Sequence, residues 1–224
     1  MAEGTPAPTD ARFGEQPLAQ TVAAAGAMRR LSSLLLSLEH AHPAVDAMLV
    51  QFAAWENELA TAAPADSAPR IGEIDDDPRR VYLSHAADIG AYNPSFPEYR
   101  FDHVDAERAA GRVAFPLVFE GPPGLVHGGF LGVLFDCVIQ QHNCLTGLSG
   151  KTRSLAVTYR RPTPLLTELR FDIVKTQIER GITSTARLLL DDEVLCAGEV
   201  KTLASPPQQL AGFKFGRRRK GSGA

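Results

Sequence analysis

The chain has 224 residues, 44% of them hydrophobic and 22% charged, which suits one globular domain with extensions or two small ones and supplies enough apolar material for a core. Its formal net charge of -3 gives no electrostatic footprint for nucleic acid, and three cysteines without a CxxC pair form neither a disulfide framework nor a zinc pattern. The N-terminus lacks a basic region followed by an apolar one and no apolar stretch approaches the ~18 residues of a membrane span, so a reducing, cytoplasmic setting is expected.

In chain order, residues 1–16 are rich in Pro, Ala, Gly and Thr and read as disordered. Residues 17–61 read as a helical hairpin. In its first helix Leu18, Val22, Ala25, Met28, Leu31, Leu35 and Leu38 form one apolar stripe, with Arg29 and Arg30 off it. Pro43 opens the second, which carries Val45, Met48, Leu49, Phe52, Trp55 and Leu59 on one face. Neither helix gathers acids, histidines or cysteines, so packing against the main domain or a partner subunit is the expected use. Residues 62–80, with the acidic run Asp75, Asp76 and Asp77, read as a linker, and the main domain is placed at 81–207.

A short strand is expected near Tyr99 to His103 and a longer one from Gly111 to Glu120, at an edge because of Pro116. From Gly121 the chain changes character. Turn residues Pro122, Pro123 and Gly124 lead through His127, Gly128 and Gly129 into an apolar run too long for a strand, which predicts a helix buried nearly all round. Asp136 is the only acidic or basic side chain between Gly121 and Gly150 apart from histidine. Burying a carboxylate costs several kcal/mol unless it is paired or protonated, so this acid either fixes a structural register or performs chemistry. His142 lies too far along the helix to form a dyad with Asp136 of its own chain and would have to reach across a dimer interface.

Beyond the helix four strands are expected: Thr152 to Arg161, Glu168 to Gln177, Ile182 to Leu190 and Val194 to Leu203. In the first, Leu155, Val157 and Tyr159 alternate against Ser154, Ala156, Thr158 and Arg160. Their short connections predict successive antiparallel hairpins, and hence an α+β layer with the helix covered by the sheet. Residues 208–224, with Arg217 to Lys220, read as a solvated basic tail.

Three features set in this order, Val126-His127-Gly128-Gly129, Asp136 nine residues after His127, and Thr152 seven residues before Tyr159-Arg160-Arg161-Pro162-Thr163-Pro164, resemble the hotdog-fold acyl-CoA thioesterases of the phenylacetate-pathway type and the vertebrate thioesterase-superfamily members. The resemblance covers about Asn93 to Ala204. It implies an antiparallel sheet wrapped around a long central helix, a homodimer or dimer of dimers, and hydrolysis of an acyl-CoA to free acid and CoA, with no metal and with coenzyme A entering only as part of the substrate. It implies Asp136 as base or nucleophile, the Gly128 N–H polarising the carbonyl, His127 contacting the thioester or holding the turn, and Thr152 approaching from the facing subunit. Gly129 joins the substrate-binding turn, and Arg160 and Arg161 suit the CoA phosphates because guanidinium binds phosphate bidentately.

Two other readings remain open on sequence. The polar segment Gln140-Gln141-His142 departs from the family pattern and suggests a module that binds an acyl-CoA or acyl-carrier thioester without hydrolysing it. Asn93-Pro94 is similar, in part, to a signature of enoyl-CoA hydratases of the MaoC type. The acyl group is not legible in the sequence.

Overall fold

The computed structural model describes residues 19–62, 89–146, 149–178 and 181–205. The expected disordered N-terminus, most of the linker and the basic tail lie outside them. The elements are helices α1 (Ala19–Leu36), α2 (Pro43–Ala62), α3 (Ile89–Tyr92) and α4 (Gly128–Leu145), and strands β1 (Tyr99–Val104), β2 (Arg108–Ala114), β3 (Ser149–Tyr159), β4 (Glu168–Ile178), β5 (Gly181–Leu190) and β6 (Glu193–Ser205). The six strands form one antiparallel sheet in the order β1-β2-β4-β5-β6-β3, packed around α4. This is the hotdog architecture.

The core lies between α4 and the sheet. Leu131, Leu134, Phe135, Val138 and Ile139 of α4 meet Leu169, Phe171, Ile173, Ala186, Leu188, Cys196 and Val200, all buried. Helix and sheet approach so closely at Gly198 that an added Cβ would lie 2.5 Å from the Phe135 ring. Glycine there is required by contact.

Two strand-level expectations are corrected. The strand expected over Gly111 to Glu120 ends at Ala114, and Pro116 instead caps a 3-10 turn over Leu117–Phe119. Proline removes the N–H the ladder would need and fits the start of a helical turn. The connection from β3 to β4 is no hairpin, because β3 pairs with β6 at one edge and β4 lies between β2 and β5. Residues 160–167 form a strap across the entry to α4. Val126 N–H donates to Thr163 O at 2.9 Å, Leu165 N–H to Gly124 O at 3.1 Å, and Leu166 N–H to Phe115 O at 2.9 Å, with Thr163 and Leu165 buried. Burying those residues outweighs the short return that loop length alone suggests. β4 pairs antiparallel with β5, and β5 with β6, so that consecutive strands are neighbours there, as expected.

The stripe assigned to α1 is rotated. Ala25 and Arg29 are the buried residues of this helix, while Met28 and Leu38 are exposed. Arg29 is buried because α3 and the turn after it offer acceptors. Its Nη1 donates to Gly90 O at 2.6 Å and to Asn93 O at 3.3 Å, and its Nη2 to Glu98 Oε2 at 2.9 Å. Truncation would strand those carbonyls, so Arg29→Ala is expected to lower stability by about 1–3 kcal/mol and to speed proteolysis within residues 19–62. Urea unfolding and limited trypsin digestion check it. Among the described residues α2 has none that is buried, and Val45 and Met48 are half-buried.

His142 is wholly buried, and its Nε2–H donates to Asp105 O at 2.8 Å, beside the buried Lys175, whose Nζ donates to Thr146 Oγ1 at 2.7 Å. Burial pushes the imidazole below its ordinary value; the Asp105 bond opposes this and the Lys175 charge reinforces it. The folded state therefore resists a proton that the unfolded state accepts. The resulting stability is complete above the unfolded value of ~6.5 and is lost as pH falls through it toward the folded value. Unfolding free energy should fall between about pH 7.5 and about pH 5.5, and His142→Gln should flatten that slope in urea titrations at the two pH values.

Candidate functional site

α4 is not buried all round. Leu131, Leu134, Phe135, Val138, Ile139, His142 and Asn143 face inward, whereas Gly129 is exposed and Val133, Asp136, Cys137, Gln140 and Cys144 are half-buried. These recur at three, four and seven, the spacing of one helix face. The acid therefore lies on a half-open stripe and not inside an apolar helix.

Asp136 meets Thr152 of its own chain, whose Oγ1–H donates to Asp136 Oδ1 at 2.6 Å. This corrects the expectation that Thr152 arrives from a facing subunit. It also overturns the alternation in β3, which groups Thr152 with Ser154 and Ala156, away from α4. The pairing of β3 with β6 shifts between Thr152 and Ser154, leaving Arg153 as the extra residue of a β-bulge. A bulge reverses side-chain parity, so Thr152 reaches the face shared by Leu155 and Val157, which pack on Gly132 of α4. Gln140, one turn beyond Asp136, joins the cluster by donating to Thr152 Oγ1 and Thr202 Oγ1.

A second group gathers at the start of α4. His127 is the N-cap, with extended backbone, and its Nδ1 accepts from Gly129 N–H at 3.0 Å. That bond engages the Nδ1 lone pair and occupies the Gly129 donor. The preceding turn is held throughout: Gly121 N–H donates to Leu125 O, His127 N–H to Phe119 O and Gly124 N–H to Glu120 Oε1. Gly128 is the first helical residue, so its N–H has no acceptor within the helix and stands at the positive end of the helix dipole. The Tyr159 hydroxyl donates to Gly128 O at 2.9 Å and fixes that peptide from the end of β3. Arg160 and Arg161 follow directly. The Arg161 guanidinium pairs with Glu193 at 2.8 Å, whereas Arg160 has no side-chain partner among the described residues.

The two groups do not meet within one chain. Gly128 and Asp136 are eight residues apart on α4, which at ~1.5 Å per residue is about 12 Å along the axis. His142 belongs to neither, being turned inward to the β1–β2 connection. The polar segment that set α4 apart is accounted for inside the fold, since Gln140 bonds Thr152 and Thr202, Gln141 bonds Tyr99, and His142 bonds Asp105 O. Asn93 stands in a turn, its Oδ1 accepting from Ser95 N–H and its carbonyl from Arg29.

Sequence reasoning missed Gln140, Thr202 and Tyr159 as parts of these groups. The i, i+4 spacing of Asp136 and Gln140 was a usable signal, and Tyr159 stood inside the quoted motif. Nothing local announces Thr202. Among the described residues no group of three or more His, Cys, Asp or Glu is placed to hold a metal ion, and no helix is long and apolar enough to cross a membrane. Burial pushes the Cys196 thiol up to about 12.

The sequence matches no protein-family model and no curated protein. Its structure is similar to a thioesterase superfamily protein, at 24% identity and a TM-score of 0.69, over 88% of this chain and 97% of that one. That share is too large to leave out the N-terminal helices. Shorter matches include a hypothetical thioesterase solved with coenzyme A from Streptococcus pneumoniae (15% identity, 49% of this chain and 90% of that one, TM-score 0.46). Another is a phenylacetic acid degradation-related protein from Ralstonia eutropha (20% identity, 47% and 83%, TM-score 0.42). At these identities the likeness is one of fold: the chain has the hotdog fold, and shares it with a thioesterase superfamily protein across nearly its whole length.

Proposed function

We propose that this protein is an acyl-CoA thioesterase, working in a cytoplasmic, reducing setting as a homodimer or a dimer of such dimers, with each site assembled from two protomers. The observation that carries this reading is the Asp136–Thr152 pair on the half-open stripe of α4, together with the unspent Gly128 N–H about 12 Å away on the same helix. A thioester carbonyl cannot span that gap, so the carboxylate and the N–H must come to it from different protomers. β3 supports such an assembly. It is an edge strand, and although Leu155 and Tyr159 point to the α4 side they remain 38% and 57% exposed, as residues awaiting a cover do.

In this site one oxygen of Asp136 is held by Thr152 and the other is free of side-chain partners among the described residues. The free oxygen either takes a proton from water as the water attacks the carbonyl carbon, or attacks that carbon itself and is regenerated by water. Gly128 N–H, from the second protomer, receives the negative charge that develops on the carbonyl oxygen. The C–S bond then breaks, CoA leaves as a thiolate that takes up a proton, and the acyl group leaves as the carboxylate.

Arg160 suits the CoA phosphates better than Arg161, whose guanidinium is engaged by Glu193. Arg160→Ala is expected to raise KM about threefold to tenfold with kcat unchanged, and Arg161→Ala to have the smaller effect, in steady-state assays at low salt. The whole reading is tested by thiol release from a panel of short, medium, long and aromatic acyl-CoAs. Turnover of one class supports it. Saturable binding without release from any member would favour a module that holds thioesters without hydrolysing them, and hydration of crotonyl-CoA would favour the hydratase.

A further inference from the structure

The stripe of α4 that carries Asp136 also carries Gln140, whose amide sits at the junction of α4, β3 and β6. Gln140 Nε2 donates to Thr152 Oγ1 at 2.8 Å and to Thr202 Oγ1 at 2.9 Å. Both of its N–H bonds are thereby used, and Thr202 is buried on β6. Thr152 Oγ1 in turn lies 2.6 Å from Asp136 Oδ1.

A hydroxyl has one proton and two lone pairs, an amide nitrogen only donates and a carboxylate only accepts. With a lone pair of Thr152 filled by Gln140, its proton is committed to Asp136. The reversed amide would set Oε1 against Thr152, and that oxygen would compete with Asp136 for the same proton. Because Asp136 can only accept, the Thr152 proton goes to it and the amide presents Nε2 to Thr152, while the second bond, to Thr202, holds the amide in place. The order of donation therefore runs Gln140 to Thr152 to Asp136, and each member points the next.

We infer that Gln140 is a positioning residue of the site: through Thr152 it fixes Asp136 Oδ1 as the held oxygen and leaves Oδ2 to meet the water or the carbonyl. The inference rests on the thioesterase reading for its chemistry, but its geometry stands apart from that reading. Gln140 touches neither substrate nor the reacting atoms and acts only through Thr152.

The test compares full-length wild type with Gln140→Leu, Gln140→Glu and Thr202→Val. Leu preserves bulk and helix propensity without a donor, and Glu preserves shape while turning the donor into an acceptor. Both should lower kcat about tenfold at unchanged KM, the loss of one charge-assisted hydrogen bond's worth of alignment. Thr202→Val should lower it less, and adding it to Gln140→Leu should lower it no further, because Thr202 works only through the amide. Crystal structures of wild type and Gln140→Leu supply a readout independent of turnover: Thr152 should lose its single rotamer and its contact with Asp136. Wild-type kcat in the Gln140 variants, or a Thr152–Asp136 contact that survives in Gln140→Leu, would overturn the inference. Absence of turnover in the wild type would remove the thioesterase reading alone, since the crystal structures still decide the role of Gln140.

Discussion

Asp136→Asn should abolish thiol release, lowering kcat by about 10³-fold or more while the protein remains folded. The substitution changes almost nothing else. Asn is isosteric, its side-chain oxygen still accepts from Thr152, and position 136 is half-buried on the helix face that the core does not use. What is lost is the negative charge, and with it the ability either to attack a carbonyl or to take a proton from water. A side-chain amide does neither. Thiol release read beside urea unfolding separates loss of chemistry from loss of fold, and an Asn variant that turns over at the wild-type rate would remove Asp136 from the mechanism.

Gly128→Pro should lower kcat by about 10²–10³-fold, the size of effect seen when one oxyanion donor is deleted. Proline at most positions of α4 would break it, but Gly128 is the first helical residue, where proline is favoured and its missing N–H belongs to no intrahelical bond. His127, which precedes it, has φ -63 and ψ 130, the extended conformation a following proline prefers. A carbon on Gly128 would come within 3.1 Å of the Tyr159 hydroxyl, which sits at an exposed strand end and has room to give. The substitution thus deletes a hydrogen-bond donor more cleanly than it disturbs a fold. Unchanged kcat in a folded Gly128→Pro protein would show that the oxyanion is held elsewhere.

Much of this was legible in the sequence because it is local. The apolar run from Phe130 to Ile139 can only be a helix, the alternation of Leu169, Phe171 and Ile173 can only be a strand half-buried on one side, and the glycines after His127 mark where the helix begins. The misses are non-local or lack a residue-type signal. No glycine or proline marks the bulge at Arg153, so the alternation of β3 gives the wrong face for Thr152. The strap over residues 160–167 is as short as a hairpin loop, and only the buried Thr163 and Leu165 reveal that it crosses the sheet's end. Arg29 looks like a solvated residue until α3 brings two carbonyls and Glu98 to it. Gln140 looked like a departure from pattern because its acceptors, Thr152 and Thr202, come from two strands paired only in three dimensions.

Mixing subunits tests whether an Asp136 from one protomer acts with a Gly128 from another. Asp136→Asn and Gly128→Pro chains, each inactive alone, are co-expressed with different tags and the hybrid dimer is purified through both. A hybrid dimer contains one site with both groups intact and one with neither, so it should release thiol at about half the wild-type rate per dimer, set by the two-fold symmetry of the assembly. A hybrid as inactive as its parents would contradict the account, because it would mean that Asp136 and Gly128 serve the thioester from the same chain or that one of them does not serve it at all.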